Sequence, residues 1–166
     1  MERVGGKNRF EVSINIAQKV GVKNQMILVN GFVFPDALAI APYASERGIP
    51  ILLTNPTVIP TSTHSYIAKN DIQKTLVVGG EGSVSPSVFS GLPSVKRISG
   101  KDRYEVATKV VNSLGKENSR LFLATGFSFA DALTGSVLAA KQKGNILLTS
   151  KKALPEFSFA LLKEYN

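Results

Sequence analysis

The sequence contains no cysteine and a single histidine, His64, among its 166 residues. The lack of cysteine excludes disulfide bonds, thiolate catalysis and cysteine-ligated metal sites. His64 has no acidic residue near it at the spacing of metal ligands, so the sequence predicts no metal site. No apolar run approaches the roughly 20 residues that span a bilayer, and we therefore expect no membrane insertion.

Dense clusters of basic residues are also missing. The formal net charge is +8, from 20 lysines and arginines against 12 acidic residues, and this surplus favours an anionic partner. However, no run of five lysines or arginines occurs, and no basic stretch is interleaved with aromatic residues as in nucleic-acid grooves. The charge pattern therefore indicates an acidic polymer rather than a nucleic acid.

What the sequence does contain is an internal repeat. Three motifs occur twice, in the same order and about 95 residues apart; the copies begin at Arg3 and Arg97, at Gly31 and Gly126, and at Ile51 and Ile146. This period exceeds the roughly 20 to 50 residues of solenoid repeats. We therefore predict two small domains, residues 1–94 and residues 95–166. The second is expected to be truncated, because it ends before a counterpart of the apolar segment 76–80.

Short apolar segments alternate with longer segments of helical periodicity. This alternation predicts an α/β fold with parallel sheets that are covered by helices on both faces. Helices are expected to begin near Pro35 and Ala130 and after the Ser85-Pro86 pair, whereas residues 55–63 are expected to form a loop. The predicted strands are 26–30, 50–53, 75–78, 95–98, 121–124 and 145–148.

Two segments resemble nucleotide-binding or catalytic motifs. Glycines in residues 79–82 follow a predicted strand, but Ser85 replaces the third glycine of a dinucleotide fingerprint and no Walker lysine follows. A tight glycine turn is therefore the favoured interpretation, and no cofactor is expected. Ser128 occupies the position of the nucleophile in a strand-to-helix elbow. A helix capping box with Asp131 explains Ser128 better, since His64 lies in the other repeat.

Several charged positions recur in both repeats, and two of them are candidate site positions. Asp36 and Asp131 fall in the first turn of a predicted helix, where a carboxylate complements the helix dipole; contact with a ligand is the alternative. Arg9 and Arg103 lie near a helix start as well, where a cation opposes the dipole. Each arginine is therefore expected either to pair with a carboxylate or to bind an anion. The carboxylate would be that of the glutamate two residues later or that of the aspartate in the next helix.

Together these motifs resemble the cell wall binding repeat 2 family of Gram-positive surface proteins and wall hydrolases. The resemblance covers most of both repeats. It rests on Arg97-Ile98-Ser99-Gly100-Lys101-Asp102-Arg103-Tyr104-Glu105 and the copy from Arg3, on residues 31–38, on Pro50-Ile51-Leu52-Leu53 and on residues 77–82.

The resemblance implies tandem Rossmann-like, three-layer subdomains, typically three around a pseudo-threefold axis. It implies a noncatalytic module that binds an anionic wall polysaccharide or teichoic-acid-like polymer and tethers a secreted surface protein or wall hydrolase to the cell wall. Any secretory signal is expected to lie outside these residues. The residues expected to bind the polymer are Arg9, Asp36, Pro50, Ile51, Leu52, Leu53, Arg103, Asp131, Ile146, Leu147 and Leu148.

Two other classes stay open at this point. One is a hydrolase or nucleotide-binding enzyme with a Rossmann-like fold, and the other is a scaffold that only oligomerises. The enzyme class is disfavoured because the candidate catalytic residues are either unrepeated or explained by helix capping.

Overall fold

The computed structural model describes residues 2–21, 24–115 and 120–165. Helices and strands alternate along these residues. The helices are α1 (Arg9–Val20), α2 (Pro35–Arg47), α3 (Thr61–Lys69), α4 (Arg103–Val110), α5 (Phe129–Lys141) and α6 (Glu156–Glu164). The strands are β1 (Gln25–Asn30), β2 (Ile51–Thr54), β3 (Lys74–Val78), β4 (Val95–Ile98), β5 (Leu121–Thr125) and β6 (Asn145–Thr149). A 3₁₀ helix, Pro86–Gly91, precedes β4, and α4 continues into a π-helical turn, Val111–Gly115.

The strand pairs of the described residues are parallel, which confirms the predicted α/β class. Four strands form a first sheet of order β2-β1-β3-β4, and β5 pairs with β6 in a second sheet. Ile27 lies opposite Ile51 in the first sheet, and Phe122 lies opposite Ile146 in the second. These two pairs occupy the same positions of the repeat, so the repeats share one strand register.

Strand β4 connects the two repeats. It begins at Val95, the first residue of the predicted second domain, and it pairs with β3 in the first sheet. Its last residue, Ile98, lies opposite Val78 and is buried in the core beside that sheet. That the chain folds as two units divided at residue 94 stays a prediction. The first sheet extends beyond this residue, to Ile98.

Helices α1 and α4 begin at matched polar caps. The Oδ1 atom of Asn8 accepts hydrogen bonds from the amides of Phe10 and Glu11, both at 3.0 Å. Asp102 accepts the two corresponding amide hydrogen bonds at the start of α4. The carboxylate of Glu11 reaches back to accept the amide of Lys7 at 2.8 Å. Such a cap stabilises a helix by about 1 kcal/mol. The cap also sets the first residue of the helix, which is the repeated arginine in both cases.

Two local predictions are wrong and one is confirmed. Residues 55–63 are not a loop throughout, because α3 begins at Thr61, directly after Pro60. Ser128 stands at the N-cap position of α5 but makes no capping hydrogen bond through its side chain, so the predicted capping box is not formed. The helix predicted after Ser85 is present as the 3₁₀ helix, and the Ser85 hydroxyl accepts the amide of Ser87 at 3.3 Å.

Helix α2 is shared by the hydrophobic cores of the two repeats. Its Leu38 packs in one buried cluster with Ala132 of α5 and Ile146 of β6. Its Ile40 packs in another cluster with Ile27 of β1. Because one helix contributes side chains to both clusters, the two repeats are packed directly against each other.

Candidate functional site

A cleft lies at the carboxyl end of the first sheet. β1 has β2 on one side and β3 on the other, so the connections that leave β1 and β3 diverge at this edge. Such a switch point is where open α/β sheets bind ligands. The cleft has a volume of about 410 Å³, and its lining includes Asn30, Asp36, the loop 80–83 and residues 100–103 at the start of α4.

Asp36 is buried under the loop that closes one side of this cleft. Its Oδ2 atom accepts a hydrogen bond from the hydroxyl of Ser83 at 3.1 Å, and the side chain of Asn30 donates to the carbonyl of Ser83 at 2.8 Å. Gly79 has a φ of 124°, and a Cβ atom there would lie 2.7 Å from Asp36 Oδ2. The glycine turn predicted for this segment is therefore confirmed, and Gly79 is what lets the loop approach the carboxylate.

The charge of Asp36 is destabilised by its surroundings. Burial raises the pKa of the Asp36 carboxyl above the ordinary value of 3.8. The hydrogen bond from Ser83 and the positive charge of Arg103 act in the opposite direction and offset part of this shift. A carboxyl group in this environment retains its proton to a higher pH than an exposed aspartate.

Arg97 holds both ends of the loop that covers Asp36. Its guanidinium donates to the carbonyl of Gly79 at 2.7 Å and to the carbonyl of Val84 at 2.6 Å. It also lies 4.6 Å from the centroid of the Phe89 ring. This role of Arg97 was not predicted from the sequence. A signal was present, because Arg97 is the first residue of a repeated motif.

Arg9 and Arg103 make the same backbone contact in the two repeats. Arg9 donates to the carbonyl of Gly31 at 2.7 Å, and Arg103 donates to the carbonyl of Gly126. The predicted pairing of each arginine with the glutamate two residues later is wrong, because those carboxylates accept the backbone amides of the preceding turn instead. Each arginine joins its helix to the end of the following strand.

The two arginines line different depressions of the surface. Arg103 lies at the cleft, together with Asp36. Arg9 lies at an apolar groove of about 680 Å³ between α1, β2 and α2, which is also lined by Pro50, Ile51 and Leu53. The structure therefore brings Arg103 and Asp36 together and separates Arg9 from them.

The remaining predicted site residues lie away from both depressions. Leu52 is buried in the first core. Ile146, Leu147 and Leu148 are at most 1% exposed, so they are core residues in this structure. Asp131 is exposed in the first turn of α5. Polymer contact by these residues stays a prediction.

The structure gives no support to a serine–histidine pair. His64 lies on α3, which packs against α1 and β2, whereas Ser128 precedes α5, which packs against α2, β5 and β6.

Across the described ranges, no three histidine, aspartate or glutamate side chains are grouped so that they could hold a metal ion. Among the helices described, none combines the length and apolarity needed to cross a membrane.

A comparison with protein families identifies the class. The family model described as cell wall binding domain 2 (CWB2) matches residues 3–89 and 97–164. The chain belongs to the cell wall binding domain 2 family. This confirms the resemblance found in the motifs, and the CWB2 domain is by its description a cell wall binding domain.

Similar proteins are longer than this CWB2 chain. N-acetylmuramoyl-L-alanine amidase LytC of Bacillus subtilis is 41% identical over 154 residues, which are 93% of this chain and 31% of LytC. The amidase enhancer of Bacillus subtilis is 36% identical over 168 residues, 99% of this chain and 23% of that protein. The solved structure of Cwp6 from Clostridium difficile matches with a TM-score of 0.90 at 27% identity, over 98% of this chain and 27% of Cwp6. The chain thus spans less than a third of each.

The cleft of this CWB2 chain offers groups of both charge signs. Lys101 and Arg103 are exposed at its rim together with the acidic residues Glu81 and Asp102, and Asp36 is buried at its base. Guanidinium and ammonium groups bind phosphate or carboxylate oxygens, the former with two parallel hydrogen bonds. A carboxyl group at the base can exchange hydrogen bonds with hydroxyl groups. The arrangement is suited to binding a ligand that carries both anionic and hydroxyl groups.

Proposed function

We propose that this CWB2 chain is a noncatalytic anchoring module that binds an anionic secondary polymer of the cell wall. The observation that carries the proposal is the cleft at the switch point, where Lys101 and Arg103 lie at the rim of a family fold described as wall-binding. The net charge of +8 adds long-range attraction for an acidic polymer. The polymer would contact Arg103 and Asp36 at the cleft, and it would contact Arg9 where the guanidinium lies over the exposed ring of Phe32.

The protein that carries the module is a wall hydrolase or another surface protein held at the cell wall. Support comes from the names of two relatives, an amidase and an amidase enhancer, each of which is much longer than this chain. The module would act outside the cell, and its role would be to keep the rest of the protein at its site of action.

A further repeat of the same kind completes the assembly in this proposal. Leu38 on α2 is 9% exposed because the second repeat covers it, while its counterpart Leu133 on α5 is 48% exposed. The groove lined by Ile51 and Leu53 is open, while the counterpart of Ile51, Ile146, is 1% exposed beneath α2. One repeat therefore inserts a helix face into a groove of the next.

This contact is heterologous, since it joins two different surfaces of equivalent units. The described chain leaves one unused copy of each surface, a helix face on α5 and a groove beside β2. A third repeat that occupies both would close a ring of three, in agreement with the pseudo-threefold arrangement expected from the family resemblance.

Binding to purified anionic wall polymer, measured by isothermal titration calorimetry at low salt, tests the anchoring function. Arg103→Glu is expected to weaken binding at least tenfold, because it reverses a charge at the rim and repels phosphate or carboxylate groups. Lys69→Glu makes the same change in net charge on α3 and is expected to have a small effect.

Arg103→Gln is a milder variant that removes the charge and the contact with Gly126 without introducing a negative charge. Circular dichroism should confirm that each variant is folded. Equal affinity of the Arg103→Glu and Lys69→Glu variants would contradict the proposed cleft. Equal binding of the unaltered chain to walls with and without their acidic polymer would contradict the function.

A further inference from the structure

Two phenylalanines are exposed at the same position of the two repeats. Phe32 follows β1 and Phe127 follows β5, and each of them is 57% exposed. Large apolar side chains in such loops lose the free energy of burial, so a pair that is retained in both repeats calls for an explanation. Helix packing within the chain does not provide one, because both rings remain in solvent.

Repeat–repeat contacts do not explain these rings either. The second repeat already covers α2 of the first, and Phe32 is still exposed. Helix α2 already fills the groove of the second repeat, and Phe127 is still exposed. Phe32 is therefore exposed in a repeat whose helix face is covered, and Phe127 is exposed in a repeat whose groove is filled. Neither of the two contact surfaces between repeats buries the ring. A further repeat would leave both rings accessible.

Each ring has a cation over one of its faces, so a ligand would stack on the opposite face. The guanidinium carbon of Arg9 lies 4.9 Å from the centroid of Phe32, and Nζ of Lys151 lies 5.6 Å from the centroid of Phe127. The counterpart of Arg9 is Arg103, so the cation beside Phe127 comes from a different part of the chain. Both repeats therefore combine an exposed ring with a cation, but the two cations come from different positions of the repeat.

This combination matches the chemistry of an acidic sugar. The face of an aromatic ring carries partial negative charge and attracts the weakly positive C–H groups of an apolar surface. A sugar ring presents such a C–H face, while a phosphate or carboxylate on the same unit can reach the neighbouring cation. A polymer of charged sugars has both features in every unit, whereas inorganic phosphate has only the charge.

We propose that Phe32 with Arg9 and Phe127 with Lys151 form two equivalent subsites that each stack one sugar ring of the anionic wall polymer and neutralise the charge attached to it. The inference rests on the proposed function and adds the recognition of the sugar itself. Two weak subsites on one rigid chain reinforce each other, because binding at the first raises the effective concentration at the second.

Alanine variants at the two rings test the subsites by calorimetry with the anionic polysaccharide extracted from the wall of the source organism. We expect Phe32→Ala and Phe127→Ala each to weaken binding about threefold to tenfold, and the double variant to weaken it further. Phe32→Tyr and Phe127→Tyr keep a ring at each site and should retain most of the affinity.

The chain provides a matched control in Phe159. This residue is 50% exposed on α6 and has Nζ of Lys163 at 4.5 Å from its ring centroid, but its position in the first repeat is occupied by His64. Phe159→Ala should therefore bind like the unaltered chain. Binding of polyphosphate, which has no sugar, should not change in the double variant Phe32→Ala/Phe127→Ala.

The outcomes separate the two proposals. Unaltered affinity of a folded double variant, or an equal loss in Phe159→Ala, overturns the stacking subsites while the anchoring function stands. Failure of the unaltered chain to bind the wall polysaccharide overturns both. Because Phe32 also contacts Phe10 edge to face at 5.9 Å, the melting temperature of each variant is measured first, and loss of affinity in the stable tyrosine variants also counts against stacking.

Discussion

Asp36 and Ser83 are 47 residues apart in the sequence and are joined by a hydrogen bond of 3.1 Å at the base of the cleft. The bond holds the loop after β3 over the start of α2 and keeps water from most of the carboxyl group. Burial is the largest influence on this group, and it raises its pKa above 3.8. The native state therefore binds the Asp36 proton more tightly than the unfolded chain does.

The first prediction concerns Asp36→Asn. Since the pKa in the folded state is raised, ionisation of Asp36 reduces stability as pH rises from about 3.8 through the folded pKa, and the reduction persists above it. Asn cannot ionise, so the stability of the variant relative to the unaltered chain should increase over that range and then level off. Urea unfolding of both proteins at several pH values measures this difference in the free energy of unfolding. A stability difference that does not change with pH would contradict the raised pKa.

The second prediction concerns Glu105, whose pKa is shifted the other way. The amide of Lys101, followed by the hydrogen bond from Lys109, lowers the pKa of Glu105 below 4.5. This carboxylate therefore stabilises the native state fully above pH 4.5, and the contribution is lost as pH falls through the folded pKa. Glu105→Gln should be destabilised at neutral pH and should approach the unaltered chain in acid. A pH trend parallel to that of Asp36→Asn would show that the assignment is wrong.

Much of the fold could be predicted from the sequence, because the strands are continuous apolar segments between turn residues. All six predicted strands are present with small differences at their ends. The start of α3 was missed because Pro60 and the threonines after it read as loop residues, although proline also suits the start of a helix. Helix α6, the counterpart of α3 in the second repeat, was not predicted either. In the structure, Ser158 on α6 donates to the carbonyl of Leu148, just as Thr63 on α3 donates to that of Leu53.

The site was less predictable than the fold. The burial of Asp36 depends on a loop far along the chain, and periodicity does not report such contacts. By contrast, the contacts of Arg9 with Gly31 and of Arg103 with Gly126 had a signal in the sequence, because an arginine and a glycine recur together at nearly the same separation in both repeats. Repeated pairs of this kind indicate contact more directly than single residues do.

The third prediction compares two glycines of the loop over Asp36. Gly79→Ala should destabilise the protein by about 1 to 3 kcal/mol, because its φ of 124° is unfavourable for alanine and the new Cβ would lie 2.7 Å from the Asp36 carboxylate. Gly82→Ala is the control, since nothing lies within 4 Å of a Cβ there. The free energy of unfolding in urea measures both. Equal effects of the two substitutions would argue against the close approach at Gly79.

The fourth prediction compares Leu38 with Leu133, which hold the same position in the two repeats. Leu38→Ala should cost about 2 to 4 kcal/mol of stability, because Leu38 is 9% exposed in a core cluster. Leu133→Ala should change stability by less than about 0.5 kcal/mol, since Leu133 is 48% exposed in this chain. In a protein with a third repeat docked on α5, the cost at Leu133 should rise toward that at Leu38. An unchanged cost there would mean that the third repeat docks elsewhere.

The last prediction concerns salt and the number of modules. Charges at the surface are screened over about 8 Å at physiological ionic strength, so binding of the single chain to anionic wall polymer should weaken steeply as salt is raised. Joining several copies through flexible linkers should restore binding at the same salt, because the second and third contacts become intramolecular. Affinity measured against salt concentration for one copy and for three copies tests both statements. A salt-independent affinity would mean that the cations at Arg103, Lys101 and Arg9 do not contact the polymer, and no gain from linkage would mean that the copies cannot engage one chain together.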